Sequence, residues 1–284
     1  MKILIGITSK NRSSILPKAI DASKAQTYPF KEIWVFDDAS TDDTILLKDQ
    51  FPDIHWIFSD EPKGYVYARN LMMQQEGFDF YCSLDDDSWF LDENLLVDAI
   101  KFMQENPKTG AIAFDILSPD NPEHKQNKIT YTETNTFIGC GHIVRLEALE
   151  KIGYYVPNPG YYGGEEKDLC IRLIDEGYQI IKFNGGYVWH EKTNIARNQP
   201  AQHKSGVCND LIFSARRVPI LILFPYLLYK ICSHFRFAVT YQKGLLFKPF
   251  LAGVGSFLVS ILKNKLYRNP VQMSTLKKFI KLSR

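Results

Sequence analysis

Between Ile3 and Phe114, short apolar runs alternate with stretches of helical period, and this alternation restricts the fold more than any other feature of the 284-residue chain. Residues 3–7 read as a buried strand. Ser13 or Ser14 is placed to cap a helix carrying Ile15, Leu16, Ala19 and Ile20, with Pro17 tolerated in its first turn. Strands follow at residues 33–36, 54–58, 78–84 and 111–114. Helices are expected up to Gln50, over 64–76 and over 94–104. The pattern predicts an α/β, Rossmann-like domain: a mostly parallel sheet with helices on both faces. The length allows such a domain plus an appendage, divided here as 1–205 and 206–284.

In such sheets, ligands bind beyond the carboxyl ends of the strands. Polar clusters fall at that edge: Thr8 to Arg12, then Asp37-Asp38, then Asp85-Asp86-Asp87. On an extended chain, Asp85 and Asp87 share a side, roughly 6.5–7 Å apart. Both ionised, they repel unless a cation sits between them, and a divalent ion with oxygen ligands is the usual answer. The competing reading of the triplet alone is a solvated acidic loop or the cap of the helix beginning near Asp92.

Several classes are disfavoured. Neither G-x-G-x-x-G after the first strand nor a P-loop occurs, Gly139-Cys140-Gly141 is a lone G-x-G, and the aspartates lack an EF-hand's spacing. The five cysteines are dispersed among apolar residues without a CxxC pair, so neither a zinc site nor a disulfide framework is expected. That cysteine usage fits a reducing cytoplasm, and the apolar N-terminal run, too short for a signal peptide, reads as the first strand.

Taken in order, Thr8-Ser9-Lys10-Asn11-Arg12, Asp37 to Asp42, Gly64 with Ala68-Arg69-Asn70, Leu84-Asp85-Asp86-Asp87, and Gly163-Gly164-Glu165-Glu166-Lys167-Asp168-Leu169 with Arg172 resemble the motifs of the family 2 glycosyltransferases. Gly177-Tyr178 and Val188-Trp189-His190 continue the match. The resemblance implies the GT-A fold and inverting transfer of a sugar from a nucleotide diphosphate to an acceptor hydroxyl. It places Thr8, Arg12 and Asp38 around the nucleotide base, Arg69 beside the donor pocket, and Asp86 on the ribose or diphosphate. Asp87, the last aspartate of the DxD motif, would bind Mg²⁺ or Mn²⁺, with Asp85 in or near its shell. The family pattern puts the catalytic base at Glu166, where many members carry aspartate, with Glu165 as the alternative. Asp168 is assigned to acceptor contact or to structural support. His190 is either a packing residue or a ligand completing the metal site, and imidazole suits Mn²⁺ better than Mg²⁺. Independently of the family, acidic residues in a first helical turn also complement the helix dipole.

The 74 C-terminal residues, 211–284, hold 13 Lys/Arg and no Asp/Glu, leaving a net charge of −11 in the first 210 residues. The apolar stretches 218–229 and 249–262 each fall short of the ~20 residues that span a bilayer. Flanking bases, including Arg216, Arg217, Lys230, Arg236, Lys243, Lys248, Lys263, Lys265, Arg268, Lys277, Lys278 and Lys281, suit an interfacial helical region on an anionic membrane. The alternative is a helical subdomain packed on the catalytic domain or on a second subunit of a homo-oligomer. Nucleic acid is not an expected partner, because the bases are interleaved with aliphatic runs. The combined expectation is an enzyme peripheral on the inner face of the cell membrane. A UDP- or dTDP-sugar would be the donor and a glycan or lipid-linked hydroxyl the acceptor, in bacterial surface-polysaccharide synthesis; the tail resembles that of rhamnosyltransferase-like members. The competing classes are a non-catalytic nucleotide-sugar or glycan-binding protein of the same fold and a membrane adaptor.

Overall fold

The computed structural model describes residues 1–123, 128–160, 162–192, 198–263 and 267–283, with the side chains of 242 and 243 undescribed. Tyr161, Lys265, the side chain of Lys243 and residues 193–197 therefore lie outside the described residues. The chain forms two compact units: Met1–Tyr155 with Glu176–Thr193, and Val156–Asp175 with Asn194–Arg284.

The first unit is built on β1 (Ile3–Ser9), α1 (Leu16–Ala25), β2 (Lys31–Asp37), α2 (Leu47–Gln50), β3 (His55–Phe58), α3 (Tyr65–Met73), β4 (Phe80–Asp85) and β5 (Ser88–Phe90). It continues with α4 (Leu95–Glu105), β6 (Thr109–Leu117), β7 (Thr130–Thr134), β8 (Gly141–Arg145) and α5 (Leu146–Ile152). The second unit supplies α6 (Glu165–Asp175), after which β9 (Gln179–His190) returns the chain to the first. The strands form one sheet in the order β3-β2-β1-β4-β8-β6-β9-β5, with β7 also paired to β9. From β3 to β4 the pairing is parallel, as the buried apolar runs require. Beyond β4, antiparallel β8 is inserted and only β6 and β9 run parallel.

Helices cover both faces of the parallel half. Ile3, Ile5 and Ile7 of β1 share a core with Leu16 and Ile20 of α1 and Leu96, Ile100 and Met103 of α4. On the opposite face, Phe36 of β2 meets Tyr67 of α3 edge to face. The expected serine cap of α1 is absent. The backbone N–H groups of Ile15 and Leu16 donate to the Arg12 carbonyl, and the Ser13 N–H goes instead to Asp42 Oδ2 at 3.0 Å. The Asp42 side chain thereby ties the loop after β1 to the loop after β2.

The second unit continues with α7 (Gln199–Arg217), α8 (Ile220–Thr240), α9 (Phe247–Leu262) and α10 (Met273–Lys281). Helix α7 runs unbroken across the 205/206 division. Its Val207, Cys208, Leu211 and Ile212 pack with Ala238, Phe250 and Phe257. Gly253 lets α9 approach closely, since a Cβ there would lie 2.7 Å from the Lys204 carbonyl oxygen. Where two short apolar runs were expected, the first is part of a 21-residue helix, because Ile231, Phe235, Phe237 and Val239 prolong it past Lys230. By length and composition α8 is long and apolar enough to cross a membrane, and its most apolar window is 0% buried.

Several of the tail's bases face inward. Arg217 grips the Asp168 carboxylate through Nε at 2.7 Å and Nη2 at 3.0 Å, and Arg216 donates to Asn158 Oδ1 at 3.0 Å. Arg268 donates to the carbonyls of Ala215 and Val218, satisfying the C-terminus of α7. Asp210 accepts from Lys167 at 2.6 Å and lies 3.1 Å from both Lys230 and His234 of α8. Burial pushes the Asp210 carboxyl up, but His234, Lys167 and Lys230 together hold it well below the usual range. A depressed native pKa gives stability that is complete above the unfolded value of ~3.9 and fades as pH falls below it. Asp210→Asn leaves the half-buried Lys167 and Lys230 without their counter-charge, so thermal or urea unfolding should show a loss of about 1–3 kcal/mol near neutral pH. A loss under about 1 kcal/mol would mean that the cluster is solvated in solution.

Candidate active site

The parallel register brings the C-terminal ends of three strands level: Thr8 lies opposite Asp85, and Ser9 opposite Asp37. Two loops at this edge are laced together. Asn11 N donates to Ser40 Oγ at 2.7 Å, Thr41 N donates to Asn11 Oδ1 at 2.7 Å, and Ser40 N donates to Asp37 Oδ2 at 3.1 Å. Asp38 accepts from the backbone N–H of Lys63 at 2.6 Å and from that of Gly64 at 3.1 Å, so it fixes the turn entering α3. Lys10 Nζ stands 4.0 Å from its other oxygen.

The aspartate triplet closes the edge. Asp85 is bound by Arg69 Nη2 at 2.7 Å, and Arg69 also lies over the Tyr65 ring. Asp86 faces Arg12 Nε at 3.7 Å and accepts from Lys10 N at 3.2 Å. Burial, then the charges of Asp85 and Asp87, push its carboxyl up to about 7 against the pull of Arg12. Without a cation the row therefore retains a proton near neutral pH. Asp87 is 5% exposed and sits 3.3 Å from His190 Nε2. The antiparallel pairing of β5 with β9, Ser88 opposite His190, delivers that imidazole, and Glu191 N fixes the Asp87 carbonyl at 2.9 Å. One carboxylate oxygen of Asp85, the Cys140 thiol and one His190 nitrogen lie within 4.8 Å of one another. This oxygen, nitrogen and sulfur set, crowded by two further carboxylates, fits a divalent cation.

The first unit thus brings together Thr8, Arg12, Asp38, Arg69, Asp85, Asp86, Asp87 and His190 at one edge. Trp89 is half-buried and tilted against Trp189 with ring centroids 6.5 Å apart, while Phe90 is core.

The expected base belongs to the second unit. Gly163 and Gly164 adopt φ of 84° and 95°, a left-handed turn that glycine makes without strain, and α6 starts at once with Glu165. Asn209 of α7 clamps this turn. Its Nδ2 donates to the carbonyls of Gly160, Tyr162 and Gly163, and its Oδ1 accepts from Gly160 N at 2.9 Å. Glu165 is 3% exposed and Glu166 half-buried. Asp168, 2% exposed, is gripped by Arg217 and by Arg172 Nε at 3.0 Å.

Comparison with known proteins decides the family: the profile described as Glycosyl transferase family 2 matches residues 4–153, more than half of the chain. The chain belongs to glycosyl transferase family 2. Among relatives of this family 2 chain, a putative teichuronic acid biosynthesis glycosyltransferase, TuaG, of Bacillus subtilis is 26% identical over 145 residues, covering 46% of this chain and 57% of TuaG. An uncharacterised Haemophilus influenzae protein is 33% identical over 105 residues, covering 33% of this chain and 56% of that protein. The chain thus spans little more than half the length of these curated relatives. The fold is the GT-A fold. A crystal structure of S. aureus TarS 1–349 in complex with UDP-GlcNAc superposes with a TM-score of 0.66 at 16% identity, covering 92% of this chain and 82% of that one. The mannosyltransferase PcManGT of Pyrobaculum calidifontis, in complex with GDP-Man and Mn²⁺, gives 0.62 at 16% identity, covering 90% and 87%.

Two residues, Cys140 in the first unit and Asn209 in the second, were not singled out in the sequence of this family 2 chain. Cys140 looked like one more dispersed thiol; its flanking glycines, which let a loop turn tightly, were the available signal. Asn209 lies 46 residues beyond Gly163 on a separate helix, and nothing local marks it.

Proposed function

We propose that the protein is a divalent-metal-dependent, inverting glycosyltransferase that moves a sugar from a UDP- or dTDP-sugar to a glycan or lipid-linked hydroxyl. One observation carries the reading: the polar residues after β1, β2 and β4 converge on a carboxylate row with His190 beside it. This is the chemistry a nucleoside diphosphate and its counter-ion require. The ligands crystallised with TarS and PcManGT, UDP-GlcNAc and GDP-Man with Mn²⁺, support the same class of donor.

Thr8, Arg12 and Asp38 bind the nucleoside end, and Arg69 holds Asp85 in position. Asp87 and His190 hold Mg²⁺ or Mn²⁺, which when bound offsets the charge gathering on the leaving diphosphate. Glu166 accepts the proton of the acceptor hydroxyl as its oxygen attacks the anomeric carbon from the face opposite the diphosphate, so configuration inverts in one displacement. The test is release of nucleoside diphosphate from UDP- and dTDP-sugars with Mn²⁺ and candidate acceptors. Acceptor-stimulated release supports the reading; tight donor binding without release in any combination points to a non-catalytic binding protein.

The same proposal places the protein on the cytoplasmic face of the cell membrane, in surface-polysaccharide synthesis. Exposed Leu221, Phe224 and Leu228 of α8, with Leu251, Leu258 and Leu262 of α9, support this, as do exposed Arg236, Lys248 and Lys263. Lys230 and His234 of α8 are engaged with Asp210, so one face of the helix is polar and occupied, which suits lying on a bilayer rather than crossing it. Burying each such leucine or phenylalanine contributes about 1.5–3 kcal/mol. Leu221→Glu with Phe224→Glu should therefore weaken co-sedimentation with anionic vesicles at least about 10-fold while leaving the melting temperature unchanged. Undiminished sedimentation would remove α8 from the membrane contact.

A further inference from the structure

Cys140 occupies a constrained position. It is the third residue of the turn from Ile138 to Gly141 that leads into β8, and it is 2% exposed. The Ile138 carbonyl holds that turn, accepting from Gly141 N at 3.1 Å and from His142 Nδ1 at 3.2 Å. His142 is itself fixed: its ring stacks on Phe137 at 3.9 Å between centroids, and its Nε2 accepts from the Tyr155 hydroxyl at 3.1 Å. A Cβ at Gly141 would lie 2.5 Å from Ile116 Cδ1, so a side chain there would have to displace the tip of that isoleucine. The thiol is therefore presented by a rigid turn beside Asp85, whose carboxylate is steadied by Arg69, and beside His190.

A sulfur, a nitrogen and a carboxylate oxygen within 4.8 Å of one another form a donor set of mixed softness. Bonds of about 2.0–2.3 Å place neighbouring donors roughly 3.3–3.7 Å apart around a tetrahedral ion. The three donors, within 4.8 Å of one another, would close toward that spacing around a bound ion. Hard Mg²⁺ prefers oxygen ligands and retained water, whereas thiolate favours softer ions.

We propose that Cys140 Sγ ligates the divalent ion of this site together with Asp85 and His190, so that the site favours thiophilic cations such as Co²⁺, Zn²⁺ and Cd²⁺ over Mg²⁺. The proposal rests on the metal-site reading above and narrows it: the thiol is the residue that sets metal preference. Loss of a ligand costs at least the ~10–100-fold in metal affinity typical of losing a supporting second-shell contact.

The test is Co²⁺ titration of the full chain, freed of metal and carrying Cys232→Ser to remove the exposed thiol. The expected result is a sulfur-to-cobalt charge-transfer band in the near ultraviolet together with visible ligand-field bands. Cys140→Ser should abolish the near-ultraviolet band, keep ligand-field bands, and weaken Cd²⁺ at least about 10-fold in competition with a chromophoric chelator. Mg²⁺ affinity should change less than about twofold. The starting protein's spectrum tests the proposal even if the Cys140 variant fails to fold. Ligand-field bands that need His190 but come without a charge-transfer band overturn the proposal and leave the metal site standing. A charge-transfer band that survives Cys140→Ser also overturns it, because another thiol would be the ligand. No Co²⁺ signal of either kind overturns both the proposal and the metal-site reading beneath it.

Discussion

Glu166→Gln should lower sugar transfer by about 10²–10⁴-fold, the range ascribed to a positioned general base, while donor affinity stays within about twofold. The amide is close in shape to the carboxylate and cannot take a proton, so the variant separates binding from chemistry. Glu165→Gln is the control. Glu165 is 3% exposed and Glu166 half-buried, so Glu166 is the more accessible of the two to an acceptor hydroxyl. If Glu165→Gln loses transfer and Glu166→Gln retains it, the base is Glu165. Equal activity in both variants would remove this helix start from the chemistry.

The second large effect is on donor binding. Asp87→Asn should abolish the metal-dependent part of nucleoside diphosphate affinity, about 10–100-fold by calorimetry with Mn²⁺, and leave metal-free affinity unchanged. The physical reason is the local charge balance. Asp87 stands 3.3 Å from His190 Nε2 in a row where Asp86 is already pushed up to about 7 by burial and by its neighbours. Removing one carboxylate relieves that repulsion and with it the attraction for a cation. Affinity that stays as high with Mn²⁺ in the variant would exclude Asp87 from the metal site.

How much of this was legible in the sequence depended on how far apart the interacting residues lie along the chain. β1, β2 and β4 could be read because parallel strands buried on both faces appear as continuous apolar runs, and because polar residues at their ends mark the binding edge. Family order supplied the proposed base and the proposed metal ligands. β7 and β8 escaped notice, since β7 is an exposed strand of threonines and β8 is a short run behind glycines. β9 was masked by Asn184, Gly185 and Gly186, which interrupt the pattern where the register with β6 shifts. In the tail, the bases were read as suited to a membrane surface or to solvent, yet Arg217 pairs with Asp168 at 49 residues' distance and Lys230 with Asp210, pairings that no local pattern reveals. The first apolar run, read as ending at Tyr229, is continued past Lys230, which pairs with Asp210, and the helix extends to Thr240. Cys140 shows the same limitation, since proximity to Asp85 and His190 arises only once β4, β8 and β9 share a sheet.

The measurement that tests the central claim most directly is a thermal-shift panel of UDP, dTDP, GDP and CMP, each with and without Mn²⁺. A nucleotide-sugar site at the ends of β1, β2 and β4 predicts a rise in melting temperature with one nucleoside diphosphate, UDP or dTDP, that depends on Mn²⁺. The same panel on Asp87→Asn should show no metal-dependent rise. No shift with any nucleotide, with or without metal, would contradict the assignment of this edge as a donor site.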